Sequence, residues 1–187
     1  MAGAFVLVVG PSGAGKDTVL RLARERLDGD PRFLFPRRLI TRAPDPWEDH
    51  EPIDWPAFER GEAEGAFALS WRAHGLGYAL PGHALAEVRA GRVAACNVSR
   101  ERVELARQSL PNVVVVEVTA SPETLAARIE ARGRETGPGV RQRVLRAGQV
   151  LCRADHVLRN EGSPHEAAKR FVAIVADIAR RPRAALA

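Results

Sequence analysis

The sequence predicts a three-layer α/β fold, in which helices cover both faces of a parallel sheet. Short apolar runs alternate with segments of helical periodicity along the chain, a pattern typical of parallel strands joined by helices. A glycine-rich loop joins the first apolar run to the first helix. Between residues 33 and 81 the pattern changes to short apolar pieces that contain all three tryptophans and the only tyrosine. This change indicates an inserted subdomain.

The predicted elements follow one another in a regular order. A fully apolar run predicts a core strand at residues 4–9, and mainly apolar runs predict others at residues 93–98, 113–118 and 156–158. Helical spacing predicts helices at residues 17–27, 100–109, 122–132, 140–151 and 165–180. We therefore expect one domain with a core (1–32, 82–132 and 148–187), an inserted subdomain (33–81) and a mobile segment (133–147).

Composition excludes several classes of protein. The chain has 187 residues, 45% of them hydrophobic, and no apolar stretch long enough to span a membrane. The net charge is +5, but the basic residues are spread along the chain without interleaved aromatic residues, so we expect no nucleic-acid partner. Cys96 and Cys152 lack ligand-like spacing and predict buried free thiols in a cytoplasmic protein. Composition gives no indication of the oligomeric state.

The loop GPSGAGKDT carries the clearest chemical signal. Its glycines allow backbone N–H groups to converge on phosphate oxygens at a helix N-terminus. In a chain whose only other lysine is Lys169, Lys16 stands where a compact ammonium would reach the β- and γ-phosphates. We therefore predict a P-loop that binds ATP through Gly10, Pro11, Ser12, Gly13, Ala14, Gly15, Lys16, Asp17 and Thr18.

Asp17 stands where such loops usually carry a serine or threonine that binds Mg²⁺. One interpretation is that the Asp17 carboxylate supplies a magnesium ligand, directly or through water. The other is that it favours the first turn of its helix electrostatically. The residues alone support the two interpretations about equally.

A second arginine-rich segment fits the needs of phosphoryl transfer. Arginines at three- to four-residue spacing lie on both sides of a glycine-containing stretch, as expected of a lid that excludes water. The alternative is a solvated charged hairpin, and Arg141 and Arg146 fit it best. We expect Arg132 and Arg143 to act with Lys16 in catalysis, and Arg128 and Arg134 to bind ATP.

Five segments follow in the order seen in guanylate kinases, and the chain resembles that family over essentially its whole length. They are the P-loop, Thr41-Arg42-x-Pro44, Gly75-Leu-Gly-Tyr78, Arg132-Gly-Arg-Glu135 and Arg143-x-x-Arg146-Ala147. The resemblance implies a guanylate-kinase-like fold with an acceptor-binding subdomain and a lid. By position, Arg42 and Tyr78 would hold the acceptor phosphate, and Asn160 would lie near the adenine of the donor.

The residues that read guanine in that family are missing. Arg38 replaces a serine, Leu69 a glutamate and Leu80 a small hydroxyl residue, and Asp45 replaces a second phosphate-binding arginine. A pocket that hydrogen-bonds a polar base loses several orders of magnitude of discrimination without such groups. The acceptor site is therefore not predicted to select guanine.

Other strings are similar to ribose 1,5-bisphosphate phosphokinases of phosphonate catabolism, including GPSGAGKDT, RRLITR, LSWRAHG and CNVSR. This resemblance implies transfer of phosphate from ATP, with Mg²⁺, to ribose 1,5-bisphosphate, giving 5-phosphoribosyl 1-diphosphate. Two alternatives stay open: a nucleoside monophosphate kinase with altered base preference, and a non-catalytic binding module.

The acceptor pocket implied by this resemblance contains arginines for phosphates and polar groups for sugar hydroxyls. Trp71 and His74 would shape its wall, although Trp71 fits the core better. The residues expected to bind a small phosphorylated sugar are Arg38, Arg42, Glu48, His50, Tyr78, Asn97, Ser99 and Arg100.

Overall fold

The computed structural model describes residues 3–44, 49–131 and 152–181. The predicted helix at 140–151 and the segment 133–147 lie outside these residues. Of the helix predicted at 122–132, the structure describes Pro122–Ala131.

Five parallel strands form the core sheet, in the order β2-β7-β1-β8-β9. The central strand β1 (Ala4–Val9) pairs with β7 (Val93–Asn97) on one side and β8 (Val113–Thr119) on the other. The outer strands are β2 (Phe33–Leu34) and β9 (His156–Arg159). The predicted parallel α/β core is confirmed.

Alternate residues of β1 enter two separate apolar clusters, one on each face of the sheet. Val6 and Val8 pack with helix α1 (Lys16–Arg26) and helix α6 (Pro164–Arg180). Phe5 and Leu7 belong to the cluster on the opposite face. A strand buried on both faces must be apolar throughout, which explains the unbroken run AFVLVV.

The opposite face is covered by short helices and by a second sheet. The helices are α3 (His83–Arg89) and α4 (Val103–Ser109), the latter preceded by a 3-10 turn at Arg100–Arg102.

Helix α5 (Pro122–Ala131) follows β8 and begins after Ser121, whose Oγ accepts a hydrogen bond from the Thr124 N–H. Serine and proline at these positions mark this helix start, as predicted.

The second sheet has four strands in the order β4-β3-β6-β5. They are β3 (Arg38–Ile40), β4 (His50–Pro52), β5 (Phe67–Ala73) and β6 (Leu76–Pro81), and helix α2 (Trp55–Ala63) lies between β4 and β5. Leu69, Trp71 and Leu80 pack in the same cluster as Phe5 and Leu7. The inserted segment therefore shares an apolar core with the parallel sheet.

The two cysteines differ in their surroundings. Both are free thiols, and Cys96 is buried as predicted, whereas Cys152 is only half-buried. Charged side chains such as Glu117 and Arg100 lie close enough to Cys152 to influence it electrostatically. The apolar residues beside Cys152 in the sequence did not indicate these charged neighbours, which come from distant parts of the chain.

Within the described residues, none of the helices combines the length and apolar character needed to cross a bilayer.

Removing core volume from β8 should destabilise the protein far more than the same change on the sheet edge. Val116 in β8 is fully buried, whereas Val157 in β9 is 60% exposed. We expect Val116→Ala to lower the free energy of unfolding by about 2–3 kcal/mol, because two methyl groups are lost and a cavity forms. Val157→Ala should change it by less than about 0.5 kcal/mol. Urea denaturation measures both, and equal losses would contradict this packing.

Candidate active site

The glycine-rich loop leaves the carboxyl end of β1 and packs directly against neighbouring backbone. Gly10 has φ 140°, and a Cβ there would lie 2.0 Å from the Val118 carbonyl oxygen. Gly15 has φ 86°, and a Cβ there would lie 2.6 Å from Nδ2 of Asn160. Only glycine fits both the conformation and the space at these two positions. The loop is therefore held rigidly at the carboxyl edge of the sheet, where open α/β sheets bind ligands.

Positive charge is directed at this loop from two sides. Nζ of Lys16 donates hydrogen bonds to the carbonyl oxygens of Gly10 and Pro11, at 2.9 and 3.0 Å. Nη1 of Arg128 approaches the Gly13 carbonyl at 3.5 Å. Helix α1 begins at Lys16, so its N-terminal dipole adds to the same field. The structure thus brings Lys16 and Arg128 together at the glycine-rich loop, and their binding of ATP stays a prediction.

Asn160 lies beneath the loop. Its side chain is almost fully buried, and its Nδ2 donates to the Ala14 carbonyl at 2.8 Å. The Asn160 side chain therefore supports the loop from the position that follows β9. Contact between Asn160 and adenine stays a prediction.

Asp17 and Asn97 form a pair beside the loop. Asn97 lies at the end of β7 in register with Val8, and its Nδ2 donates to Oδ1 of Asp17 at 2.5 Å. Oδ1 of Asn97 is buried and has no hydrogen-bond partner within residues 3–44, 49–131 and 152–181. Buried amide oxygens are normally paired. This atom and the Asp17 carboxylate form an oxygen donor set beside the loop.

This donor set fits Mg²⁺, which prefers oxygen ligands and keeps several waters. In the described part of the chain, no group of three or more His, Cys, Asp or Glu side chains could hold a metal ion. The other ligands of an ion at Asp17 would therefore be phosphate oxygens and water.

Glu117 is a residue of this region that the sequence analysis did not single out. It lies in β8 in register with Val9 and faces Arg100 at 4.0 Å. Asn97 and Glu117 thus stand on either side of the last residues of β1. A single acid within the apolar run VVVVEV was the signal that could have identified it.

The second sheet holds Arg42 and Tyr78 close to each other. The Gly77 N–H donates to Oγ1 of Thr41 at 2.8 Å, and the Thr41 N–H donates to the Gly77 carbonyl at 3.0 Å. The Tyr78 ring stacks on buried Trp71, with centroids 5.3 Å apart. Trp71 is therefore part of the core, and the segments carrying the predicted phosphate ligands are tied together.

Gly77 packs closely against helix α2. A Cβ at this position would lie 2.8 Å from the Phe58 ring. Helix α2 therefore leaves no room for a larger side chain at position 77.

His50 is buried, so its side chain is not exposed as a residue that binds sugar hydroxyls would be. It is only 1% exposed, and its Nε2 lies 3.3 Å from the Arg42 carbonyl oxygen. The ring therefore supports the Arg42 segment from below, and a direct contact with substrate stays a prediction.

A cleft lies between α1 and the segment that follows β2. It encloses about 450 Å³, including the part open to solvent, and Asp17, Arg38 and Asn97 are among its lining residues. Arg38 is 9% exposed and pairs in register with His50. Ser99 and Arg100 follow β7 near the same edge.

Several predicted residues lie outside the described residues. These are Glu48, Arg132, Arg134 and Arg143, together with Arg141 and Arg146.

Curated proteins from three bacteria match nearly the whole chain, and each is named ribose 1,5-bisphosphate phosphokinase PhnN. The protein from Methylobacterium radiotolerans is 57% identical over 92% of this chain and 97% of its own length. Those from Acidiphilium cryptum and Pseudofrankia inefficax are 51% and 42% identical, and cover 93% and 97% of this chain and 93% and 95% of their own length. The chain belongs to the ribose 1,5-bisphosphate phosphokinase family. A scan against protein-family models gives no match.

Solved structures extend this result to the fold. A guanylate kinase from Anaplasma phagocytophilum superposes with a TM-score of 0.66 at 19% identity, covering 96% of this chain and 87% of that one. At this identity the likeness concerns the fold alone. The guanylate-kinase-like fold is thereby confirmed for this member of the ribose 1,5-bisphosphate phosphokinase family.

Thiol reactivity should separate the two cysteines of this family member. Burial raises the pKa of Cys96 to about 12, so at pH 8 only about one thiol in ten thousand is ionised. Burial also raises the pKa of Cys152, with a further contribution from Glu117, but this side chain is partly open to solvent. We expect a thiol reagent at pH 8 to label Cys152 first in the folded protein, and both thiols after unfolding. Rapid labelling of folded Cys152→Ser would contradict the burial of Cys96.

Proposed function

We propose that this protein transfers the γ-phosphoryl group of ATP to the 1-phosphate of ribose 1,5-bisphosphate, forming ADP and 5-phosphoribosyl 1-diphosphate. Family membership supports this reaction. In the structure, this reaction is supported by a P-loop that lies beside a cleft lined by arginines. The residues at the positions of base-reading groups, Leu69 and Leu80, are apolar.

The acceptor wall fits a sugar phosphate better than a purine. Leu69 and Leu80 replace two guanine-reading residues, and both are buried in the apolar cluster shared with the parallel sheet. They offer no hydrogen bonds to a base, so a polar purine edge would lose its partners on binding. Arg38, at the third such position, suits a phosphate instead.

Positioning and charge neutralisation supply the catalysis. An oxygen of the 1-phosphate attacks the γ-phosphorus, the bond from γ-phosphorus to the β–γ bridging oxygen breaks, and ADP leaves. The nucleophile is already an anion at neutral pH, so no general base is needed. Lys16 and the backbone N–H groups of the loop stabilise the charge that develops on the transferred group.

Other predicted residues have roles on each side of the transferred phosphoryl group. Arg42, Tyr78 and Arg100 bind the acceptor phosphate, and Asn97 and Ser99 contact sugar hydroxyls. Arg143 in a lid at residues 133–147, and Arg132 just before it, would neutralise charge. The second sheet and helix α2, within the segment 33–81, form the acceptor-binding subdomain. The two free thiols are compatible with a cytoplasmic enzyme.

Asp17 would hold Mg²⁺ at the phosphates of ATP, directly or through water. When bound, the ion neutralises phosphate charge. The Asn97 amide keeps the Asp17 carboxylate oriented through its short hydrogen bond. Asp17 thus takes the place of the hydroxyl residue found in most P-loops.

Acceptor selectivity tests the proposed reaction. The purified protein with ATP and Mg²⁺ is offered ribose 1,5-bisphosphate, GMP, AMP or no acceptor, and ADP formation is measured. We expect the fastest turnover with ribose 1,5-bisphosphate. Lys16→Met should lower kcat by about 100-fold or more, because one preorganised cation is lost from the transition state, and should keep the folded structure.

Two results would overturn this proposal. Faster turnover with GMP would indicate a nucleoside monophosphate kinase. No turnover with any acceptor would indicate a binding module.

Asp17→Asn tests the metal role with little change in shape, because the new amide oxygen can still accept the hydrogen bond from Asn97. We expect the Mg²⁺ concentration for half-maximal turnover to rise by about tenfold or more. Calorimetry of ADP binding with and without Mg²⁺ gives a second readout. Glu25→Gln removes an equal charge from the same helix at a site paired with Arg21, and should change neither quantity. If Asp17→Asn leaves the Mg²⁺ dependence of turnover unchanged, the metal role is wrong. The Asp17 carboxylate then only favours the first turn of α1 electrostatically.

A further inference from the structure

The cleft beside α1 carries more positive charge than transfer of one phosphoryl group requires. Four arginines and two aspartates line it. Three of the arginines have no assigned role in the proposed reaction. One of them, Arg21, pairs with Glu25 on its own helix, which leaves Arg24 and Arg37. The excess charge indicates that this end of the cleft receives an anion.

Arg24 and Arg37 converge on one carboxylate, although they come from different parts of the chain. Nη1 of Arg24 lies 2.8 Å from Oδ2 of Asp49, and Nε of Arg37 lies 2.7 Å from Oδ1 of the same residue. Nη2 of Arg37 also donates to the His50 carbonyl at 2.7 Å. Nη1 of Arg37 lies 3.7 Å from Oε1 of Glu51 as well. These contacts still use only part of the five N–H donors of each guanidinium. Asp49 therefore orients two cations and leaves donors for a further anion.

Arg38 completes the group from the floor of the cleft. It is nearly buried and lies close enough to Cys96 to act on that thiol electrostatically. A buried guanidinium next to two oriented ones provides the forked donors that phosphate oxygens accept.

The spacing along α1 separates this group from the transfer site. Asp17 and Arg24 both line the cleft, and seven residues of helix span roughly 10 Å. Asp17 adjoins the P-loop, so Arg24 marks the far end. Leu20, Phe35 and Pro36 line the cleft as well and supply its apolar surface.

We propose that Arg24, Arg37 and Arg38 form a subsite for the non-reacting 5-phosphate of the acceptor, with Asp49 as a positioning residue. The subsite selects sugar bisphosphates over sugar monophosphates. It occupies the part of the fold where Arg38 replaces a base-reading serine, so a second phosphate is recognised in place of a base. This inference rests on the proposed function for the identity of the sugar.

Binding of two half-ligands tests the subsite without turnover. Ribose 5-phosphate carries only the phosphate assigned to the subsite, and ribose 1-phosphate carries only the reacting one. Isothermal titration calorimetry gives the Kd of each for the full-length protein. We expect Arg24→Gln and Arg37→Gln each to weaken ribose 5-phosphate binding by about tenfold or more, the effect of losing a charge-assisted hydrogen bond. Ribose 1-phosphate binding should change less than about twofold.

Arg26→Gln is the matched control. Arg26 lies on the same helix and carries the same charge, but its guanidinium contacts the Leu22 carbonyl and His165. This variant should bind both half-ligands like the wild type. Arg24 and Arg37 are both largely exposed, so their variants should fold, and thermal melting checks this.

Each outcome has a distinct meaning. Unchanged ribose 5-phosphate binding in both arginine variants would overturn the subsite, as would an equal loss for the two half-ligands. If the selective loss is found but the wild type does not phosphorylate ribose 1,5-bisphosphate, the subsite stands and the proposed reaction is wrong.

Discussion

The close contact of the P-loop with neighbouring backbone is the constraint on which the site depends. Gly10 meets the Val118 carbonyl on β8, and Gly15 meets the amide of Asn160 after β9. Neither contact leaves room for a side chain, so the loop position is set by two adjacent strands and a buried amide. Because the loop cannot shift, Lys16 and the start of α1 have defined positions relative to the carboxyl edge of the sheet.

Strand β1 couples this loop to the acceptor side. Its even-numbered residues pack against α1 and α6, whereas Phe5 and Leu7 pack against Leu69 and Leu80 of the second sheet. The strand that carries the glycine-rich loop thus also packs against the second sheet. Leu69 and Leu80, where guanylate kinases carry base-reading residues, are part of this shared apolar core.

Some predictions from sequence succeeded because their causes are local. Apolar runs correctly gave four of the five strands of the core sheet, but not β2, which has only two residues. Ser121 with Pro122 gave the start of α5. Other features had no local cause. The apolar neighbours of Cys152 in the sequence do not show its charged surroundings, and a histidine after two acids does not show that His50 is buried. Glu117 and Asp49 acquire their roles only through arginines distant in the sequence.

The sequence by itself determined the phosphate-binding loop, the parallel core and the absence of guanine-reading groups, because each depends on residue type within a short segment. Only the tertiary structure decided which polar groups meet. Asp17 pairs with Asn97 because β7 lies beside β1, and Arg24 meets Arg37 at Asp49 because the second sheet packs against the same core. Contacts between segments 25 or more residues apart depend on how apolar faces are buried together, which no short segment specifies.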